Sequence, residues 1–450
     1  MTQIEKDSEF TLTASGDSYI TLRFAVHKEK RFLDMIKILR DSDVAFTNLE
    51  MLIHDFEGYP AALISRSTCA RAPPIIADDL KWAGINMVGC ANNHSMDYSY
   101  GGMFATIKNL DRVGIVHAGL GCNLGEARSP AYLDTDKARV ALISAASTFP
   151  DWGRAGDARR EIQGRPGLNP LRFDTKYVVD AQNFKNLREL GEKLGIVRQS
   201  SESEILLLRH KFTKGDEISI YTTPNKLDLE GNLRSIRDAR RMADVVIVSL
   251  HAHEQDPKGK SEYGRGVVAA QFVREFAKSC IDAGADAFLG HGPHILRGIE
   301  IYKGKPIFYS LGNFIFQNQT VEKLPQEEYE NSGLDHSATP ADFYDLREYG
   351  GRLRGEYRGD KRIFESVIPE IKFNVKPLPI QNHPSRPSSE VTQIKLYPIT
   401  LQGEKQRSKR GRPILADEEN SHRIINYLKE LSTSFGTEIE FKEGIGVINV

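Results

Sequence analysis

The sequence predicts an α/β fold, on three observations. Short, near-continuous apolar runs alternate with helix-length amphipathic stretches from residue 10 to residue 316. Runs apolar on both faces belong to sheets covered by other layers on both sides. Polar residues able to do chemistry stand directly after several of these runs, where α/β sheets bind ligands.

Phe10 to Ser15 reads as a strand ending at Gly16-Asp17. Lys28 to Arg40 reads as a helix with Phe32, Leu33, Ile36 and Leu39 on one face. Val44 to Asn48 is a strand running into Leu49-Glu50. Ile75 to Ala83 is helical, and Asn86 to Cys90 is a strand followed by Ala91-Asn92-Asn93-His94. Gly101 to Val113 is a helix with Phe104, Ile107 and Leu110 facing inward, and Val140 to Ala146 is a buried strand. The pattern resumes with Val245 to Leu250, a strand ending at His251. Then come a helix over Gly266 to Ala283, a strand from Ala287 to Leu289 before Gly290-His291, and a last strand from Lys305 to Leu311.

Residues 150–241 interrupt the pattern. They carry a helical piece near Ala181 to Leu194 and a β-like piece with a turn from Glu204 to Thr222. They read as an inserted cover over one edge of a core spanning 10–316. Residues 317–450 read as an irregular segment, broken by Pro377, Pro379, Pro384 and Pro387, followed by a C-terminal extension packing on that core. In the extension Val391 to Tyr397 is a strand, Asp417 to Ser432 a helix and Thr437 to Phe441 a strand. The basic run Lys405 to Arg412 reads as a solvated surface loop.

Sixty Lys and Arg balance 61 Asp and Glu, so no global field draws nucleic acid or an anionic membrane surface. No run approaches the roughly 20 apolar residues that span a bilayer. Met1 to Phe10, with Glu5, Asp7 and Glu9, lacks a leader pattern, so a cytoplasmic protein is expected. Cys69, Cys90, Cys122 and Cys280 are too scattered for a disulfide framework and read as reduced, buried thiols.

Asp17, Glu50, Asn93-His94, His251 and the pair His291 and His294 converge on one sheet edge if the strands are read correctly. Carboxylate, amide and imidazole donors without cysteine suit a hard or borderline divalent ion: Mn, Zn, Fe, Mg or Ca. Asp97 lies three residues beyond His94, where it either orients that imidazole or caps a turn. His253 and Glu254 follow His251 as neighbouring acid–base groups. Arg71, Arg159, Arg165 and Arg172 lie in loops around the insertion; they are solvated surface arginines or, for Arg71 and Arg165, carboxylate binders.

The segments ASGDS (14–18), DVAFTNLE (43–50), GINMVGCANNHSMDY (84–98) and GADAFLGHGPHILRGIEIYKGKPIFYSLGNF (284–314) resemble the bacterial capsule-synthesis CapA family. That family is also called the poly-γ-glutamate synthesis family, a branch of the calcineurin-like metallophosphoesterases. The resemblance covers roughly residues 10–316 and implies a four-layer α/β/β/α sandwich with a metal site at the strand ends. It implies Asp17, Glu50, Asn93, His251, His291 and His294 as metal ligands, with His94 a catalytic imidazole. Tyr19 stands where the superfamily's first motif has a histidine, Glu50 replaces its aspartate, and His291 and His294 are spaced H-x-x-H in place of H-x-H. These departures speak against a tight dinuclear phosphatase centre.

Three functions are compatible with this reading. One is a peptide epimerase using Asp17 with His94, His251 or His294 as an acid–base pair. The second is a metal-dependent hydrolase of a phosphoester or amide, and the third is an accessory protein of polymer synthesis. The expected substrate is a peptide or polyglutamate-type chain.

Overall fold

The computed structural model describes residues 8–61, 68–257, 266–349, 360–376 and 388–450. Alternation along the strand Ser8–Tyr19 puts Phe10, Leu12 and Ala14 on one face. There they meet Val44, Phe46 and Met87 of the same sheet and Val140, Leu142, Val245, Ile247, Ala287 and Leu289 of a second sheet. Each of the larger of these side chains, fully withdrawn from water, contributes roughly 1.5–3 kcal/mol, so this core binds the two sheets together. A further core lies between the first sheet and the helices Lys30–Arg40, Ile75–Trp82 and Ser99–Val113. Another lies between the second sheet and the helices Lys226–Arg240 and Gln271–Ala283.

The larger sheet has ten strands among the described residues, the smaller one six. In the larger, Ser8–Tyr19 runs parallel to Val44–Asn48, which pairs with Met87–Gly89 and through it with Val116–Ala118. In the smaller, Val245–His251 lies between Arg139–Ala146 and Ala287–His291, all parallel. Parallel strands carry all their carboxyl ends to one edge, and both sheets present that edge at the same place.

The expected elements recur with four corrections. Phe104 faces outward at 39% exposure; Gly102, Met103, Thr106 and Leu110 are the buried side of its helix. The helix expected from Gly266 begins at Gln271, and the last strand ends at Phe308, before a separate strand Asn313–Phe316. Residues 317–389 are not irregular throughout. They hold the helices Gln326–Asn331 and Pro340–Tyr349 and the strand Glu365–Lys376, which pairs antiparallel with Ser8–Tyr19 inside the larger sheet. The four prolines from Pro377 to Pro387 lie outside the described residues.

The basic run is the fourth correction. Arg410 is buried and bonds Gln319 and Glu348, Arg407 pairs with Asp345 and Glu348, and Arg412 bonds His27 and Glu29. These arginines lock the C-terminal extension to the rest of the chain. Cys69, Cys90 and Cys280 are buried free thiols, but Cys122 is exposed.

The inserted stretch builds a five-stranded sheet with the helix Ala181–Lys193 over a small cluster of Val179, Phe184, Ile205 and Leu207. That sheet leans on the helix Gln271–Ala283, where Phe173 stacks on Phe272 with centroids 4.2 Å apart.

Candidate metal centre

Asp17 is placed by a change of strand partner. Up to Thr13 its strand pairs with Glu365–Lys376; from Asp17 onward it pairs with Asn313–Phe316. The register slips on both sides of Asp17, and such irregularities re-aim a side chain out of the pleat. Gly16 permits the junction: a Cβ there would sit 2.0 Å from the carbonyl oxygen of Gly312. The Asp17 N–H donates to that same oxygen at 2.9 Å.

On the other sheet, parallel register sets His251 level with His291, each the last residue of its strand. The chain then turns through Gly292 (φ 111°) and His294 (φ 60°). A left-handed conformation costs a non-glycine residue about 1–2 kcal/mol. Here it folds the His294 ring back to 3.5 Å from Asp17 Oδ2 and 3.7 Å from Glu50 Oε1. His251 lies 3.8 Å from Asp17 Oδ1 and 3.8 Å from Glu50 Oε1, and His291 lies 3.8 Å from Asp17 Oδ1. The edge therefore brings together Asp17, Glu50, His251, His291 and His294.

Hydrogen bonds fix the tautomers. Asn313 Nδ2 donates to the Ile363 carbonyl at 2.9 Å, so its Oδ1 accepts from His294 Nδ1 at 2.9 Å. His294 Nε2 then carries the lone pair and faces Glu50. Asn48 Nδ2 donates to Asp17 Oδ1 at 2.7 Å and to His251 Nδ1 at 3.2 Å. The His251 proton is thus on Nε2, 3.0 Å from His253 Nε2. His94 Nδ1 donates to Asp97 Oδ2 at 2.6 Å, so Asp97 orients the imidazole and also accepts the Ala70 N–H. Tyr19 is buried edge-on against the His94 ring.

Burial without counter-charge governs the electrostatics. It pushes Asp17 up to about 7 against the pull of the Asn48 and Gly292 hydrogen bonds. It raises Glu50 well above the usual carboxylate range, helped by Asp17 and Asp97. It lowers His251 far below the normal imidazole value, with His253 and the other rings adding repulsion, and lowers His291 to about 3.

Both Glu50 oxygens, both His291 nitrogens, Asn48 Oδ1 and Asn93 Oδ1 are buried with no hydrogen-bond partner among the described residues. An unpaired buried carboxyl costs several kcal/mol unless something binds it. The donor set fits a divalent cation: one ligand atom from each of Glu50, His253 and His294 lies within 4.8 Å of the others. Bonds of about 2.0–2.2 Å to one ion put its ligand atoms roughly 3–4 Å apart, a spacing these side chains reach by closing slightly on the ion.

His253, which the sequence marks only as an acid–base neighbour, is one of the three residues close enough together to hold an ion. Asn48 and Asn313 were missed; nothing in a short amide inside a strand marks it as a bridge between Asp17 and His251. Asn93 reaches the edge half-buried, with its oxygen unpaired. Glu254 accepts from Ser147 Oγ at 2.6 Å and Thr148 Oγ1 at 3.0 Å. The two substrate-side arginines are engaged elsewhere: Arg71 by Asp55 and the His54 carbonyl, Arg165 by the Arg154 carbonyl.

The family model described as "Bacterial capsule synthesis protein PGA_cap" matches residues 11–318. The uncharacterized protein y4sH of Sinorhizobium fredii is 33% identical over 98% of this chain and 93% of its own. The capsule biosynthesis protein CapA of Bacillus anthracis is 28% identical over 62% of this chain and 51% of its own. A probable polyglutamine synthesis accessory protein of Mycobacterium tuberculosis, Rv0574c, is 26% identical over 61% of this chain and 56% of its own.

Proposed function

The chain belongs to the bacterial capsule synthesis PGA_cap family, and from that premise we propose a divalent-metal enzyme acting on a peptide or polyglutamate-type substrate. The observation that carries the proposal is the fully buried Glu50, with two oxygens unpaired among the described residues, beside imidazoles whose rings are oriented by Asn313, Asn48 and Asp97. Glu50, His253 and His294 would hold the ion, with Asp17, Asn93, His251 and His291 around it. A divalent cation there supplies Lewis-acid polarisation of a carbonyl or phosphoryl oxygen.

The reaction we favour is epimerisation at an α-carbon. It needs two acid–base groups on opposite faces of one carbon. Asp17 comes from the larger sheet and His251 and His294 from the smaller, so a carboxyl and an imidazole can approach from two sides. Asp17 removes or returns a proton at its unshared oxygen lone pairs, while Asn48 and the Gly292 N–H hold its orientation. Residues 150–241 we read as a cover: Gly153, near their start, lies against Met96 beside the His94–Asp97 pair.

Incubating the enzyme with γ-glutamyl oligomers in deuterated water tests this. Solvent deuterium at an α-carbon without chain shortening supports epimerisation. Chain cleavage or phosphate release from a phosphoester, without deuterium, assigns a hydrolase. The name of the mycobacterial relative favours a second reading, an accessory role in polymer synthesis. Inertness of the metal-loaded protein in all three assays would support it.

A further inference from the structure

We propose that Arg297 is a positioning residue that sets the distance between His253 and His294; this rests on the reading of Glu50, His253 and His294 as metal ligands. Arg297 stands three residues beyond His294 and is 1% exposed. Its Nη1 donates to the Glu254 carbonyl at 3.1 Å and its Nε to the Gly266 carbonyl at 3.1 Å. One guanidinium therefore ties the loop carrying His294 to the strand end carrying His253.

The strand end is held from its other side as well. The His253 N–H donates to Thr148 Oγ1 at 2.9 Å, and that hydroxyl donates to the Glu254 carboxylate at 3.0 Å. Ser147 Oγ donates to the same carboxylate at 2.6 Å. His253 is thus bracketed: Thr148 fixes its amide, and Arg297 fixes the carbonyl of the next residue. The His253 and His294 rings meet nearly edge to face with centroids 5.5 Å apart.

Burying a guanidinium is expensive unless its hydrogen bonds are specific. Glu254 is the nearby counter-charge, and burial still pulls Arg297 down to about 10. A hydrophobic residue would fill the space at lower cost, but it would leave the two loops free to move apart. The fork of Arg297, which reaches two carbonyls at fixed separation, suits a positioning task that a single ammonium performs less well.

The test is Mn(II) and Co(II) titration of the full-length wild type and of Arg297→Lys, Arg297→Met and Thr148→Val. Binding is followed by calorimetry and by the visible spectrum of bound cobalt, with circular dichroism as the fold check. Loss of groups that orient ligands typically weakens metal affinity about 10–100-fold. We expect that loss in Arg297→Met, a smaller one in Arg297→Lys, and a changed cobalt spectrum in both at unchanged secondary structure. If Arg297→Met fails to fold, Thr148→Val, which releases the opposite bracket, must show the same weakening and spectral change. Wild-type affinity and spectrum in the folded variants overturn the proposal while leaving the metal centre intact. Absence of binding by the wild type overturns both.

Discussion

Two of the almost fully buried carboxylates, Asp228 and Glu50, have opposite surroundings. Asp228, 1% exposed on the helix Lys226–Arg240, accepts from the Arg172 N–H and guanidinium at 2.6–3.0 Å and from Arg128 at 3.3 Å. Glu50, at 0% exposure, accepts no hydrogen bond among the described residues. The first is closed by protein groups and ties the inserted region to the core. The second keeps two oxygens without a hydrogen-bond partner among the described residues, beside several imidazoles. Burial of charge alone does not mark a functional site; burial of charge left unsatisfied does.

The largest effect expected from this contrast is on turnover. Asp17→Asn should lose about 10²–10⁴-fold in rate, the usual worth of positioned proton transfer, at normal thermal stability. Unchanged activity would remove Asp17 from the mechanism. The next effect lies on the satisfied side. Asp228→Ala removes the carboxylate shared by the partly exposed Arg172 and Arg128, so it should destabilise by about 1–3 kcal/mol in denaturant titration. Metal affinity should stay as in the wild type. A loss of metal binding with retained stability would erase the distinction between the two carboxylates.

Replacing Glu50 should act in the opposite sense. Glu50→Met removes an unpaired buried carboxyl and should raise metal-free stability by about 1 kcal/mol or more. A clear destabilisation would show that Glu50 has protein partners in solution.

A further effect, read as a pH dependence, concerns a buried imidazole away from the centre. His54 accepts the Phe56 N–H at Nδ1, packs on Tyr98, and is pulled down to about 4 by burial and by Arg71. Its folded value lies below its unfolded one. The unfolded chain therefore takes up a proton that the folded protein refuses as pH falls from 6.5 towards 4. Stability present above pH 6.5 is lost in that window, by up to roughly 3 kcal/mol. His54→Asn keeps an acceptor for Phe56 and should flatten the wild-type decline in melting temperature between pH 7 and pH 4.5. Parallel curves for the two proteins would contradict this.

The strand ends were legible because Glu50, His251 and His291 follow runs such as VAFTN and VVIVSL, whose burial on both faces is written in their composition. The triad partner His253 was less so. Two residues past a strand end, its backbone is held by Thr148 and, through the Glu254 carbonyl, by Arg297, which lie far away in sequence. The strand Glu365–Lys376 was hidden by its own chemistry. Charged residues alternate with Val367, Ile371, Phe373 and Val375, and Pro369 in its middle argues against a strand by local rules. The run Lys405–Arg412 was misread because composition cannot show that Arg407 and Arg410 meet Asp345 and Glu348 some 60 residues upstream. What is local in sequence was readable; what depends on a distant counter-charge was not.

The most direct test of the central claim is X-ray diffraction from crystals of the wild type grown with Mn(II), recorded for anomalous scattering. We expect one strong anomalous peak bonded to Glu50, His253 and His294 at about 2.0–2.3 Å. No peak there, with the Glu50 oxygens instead closed by direct hydrogen bonds from protein groups, would contradict the account.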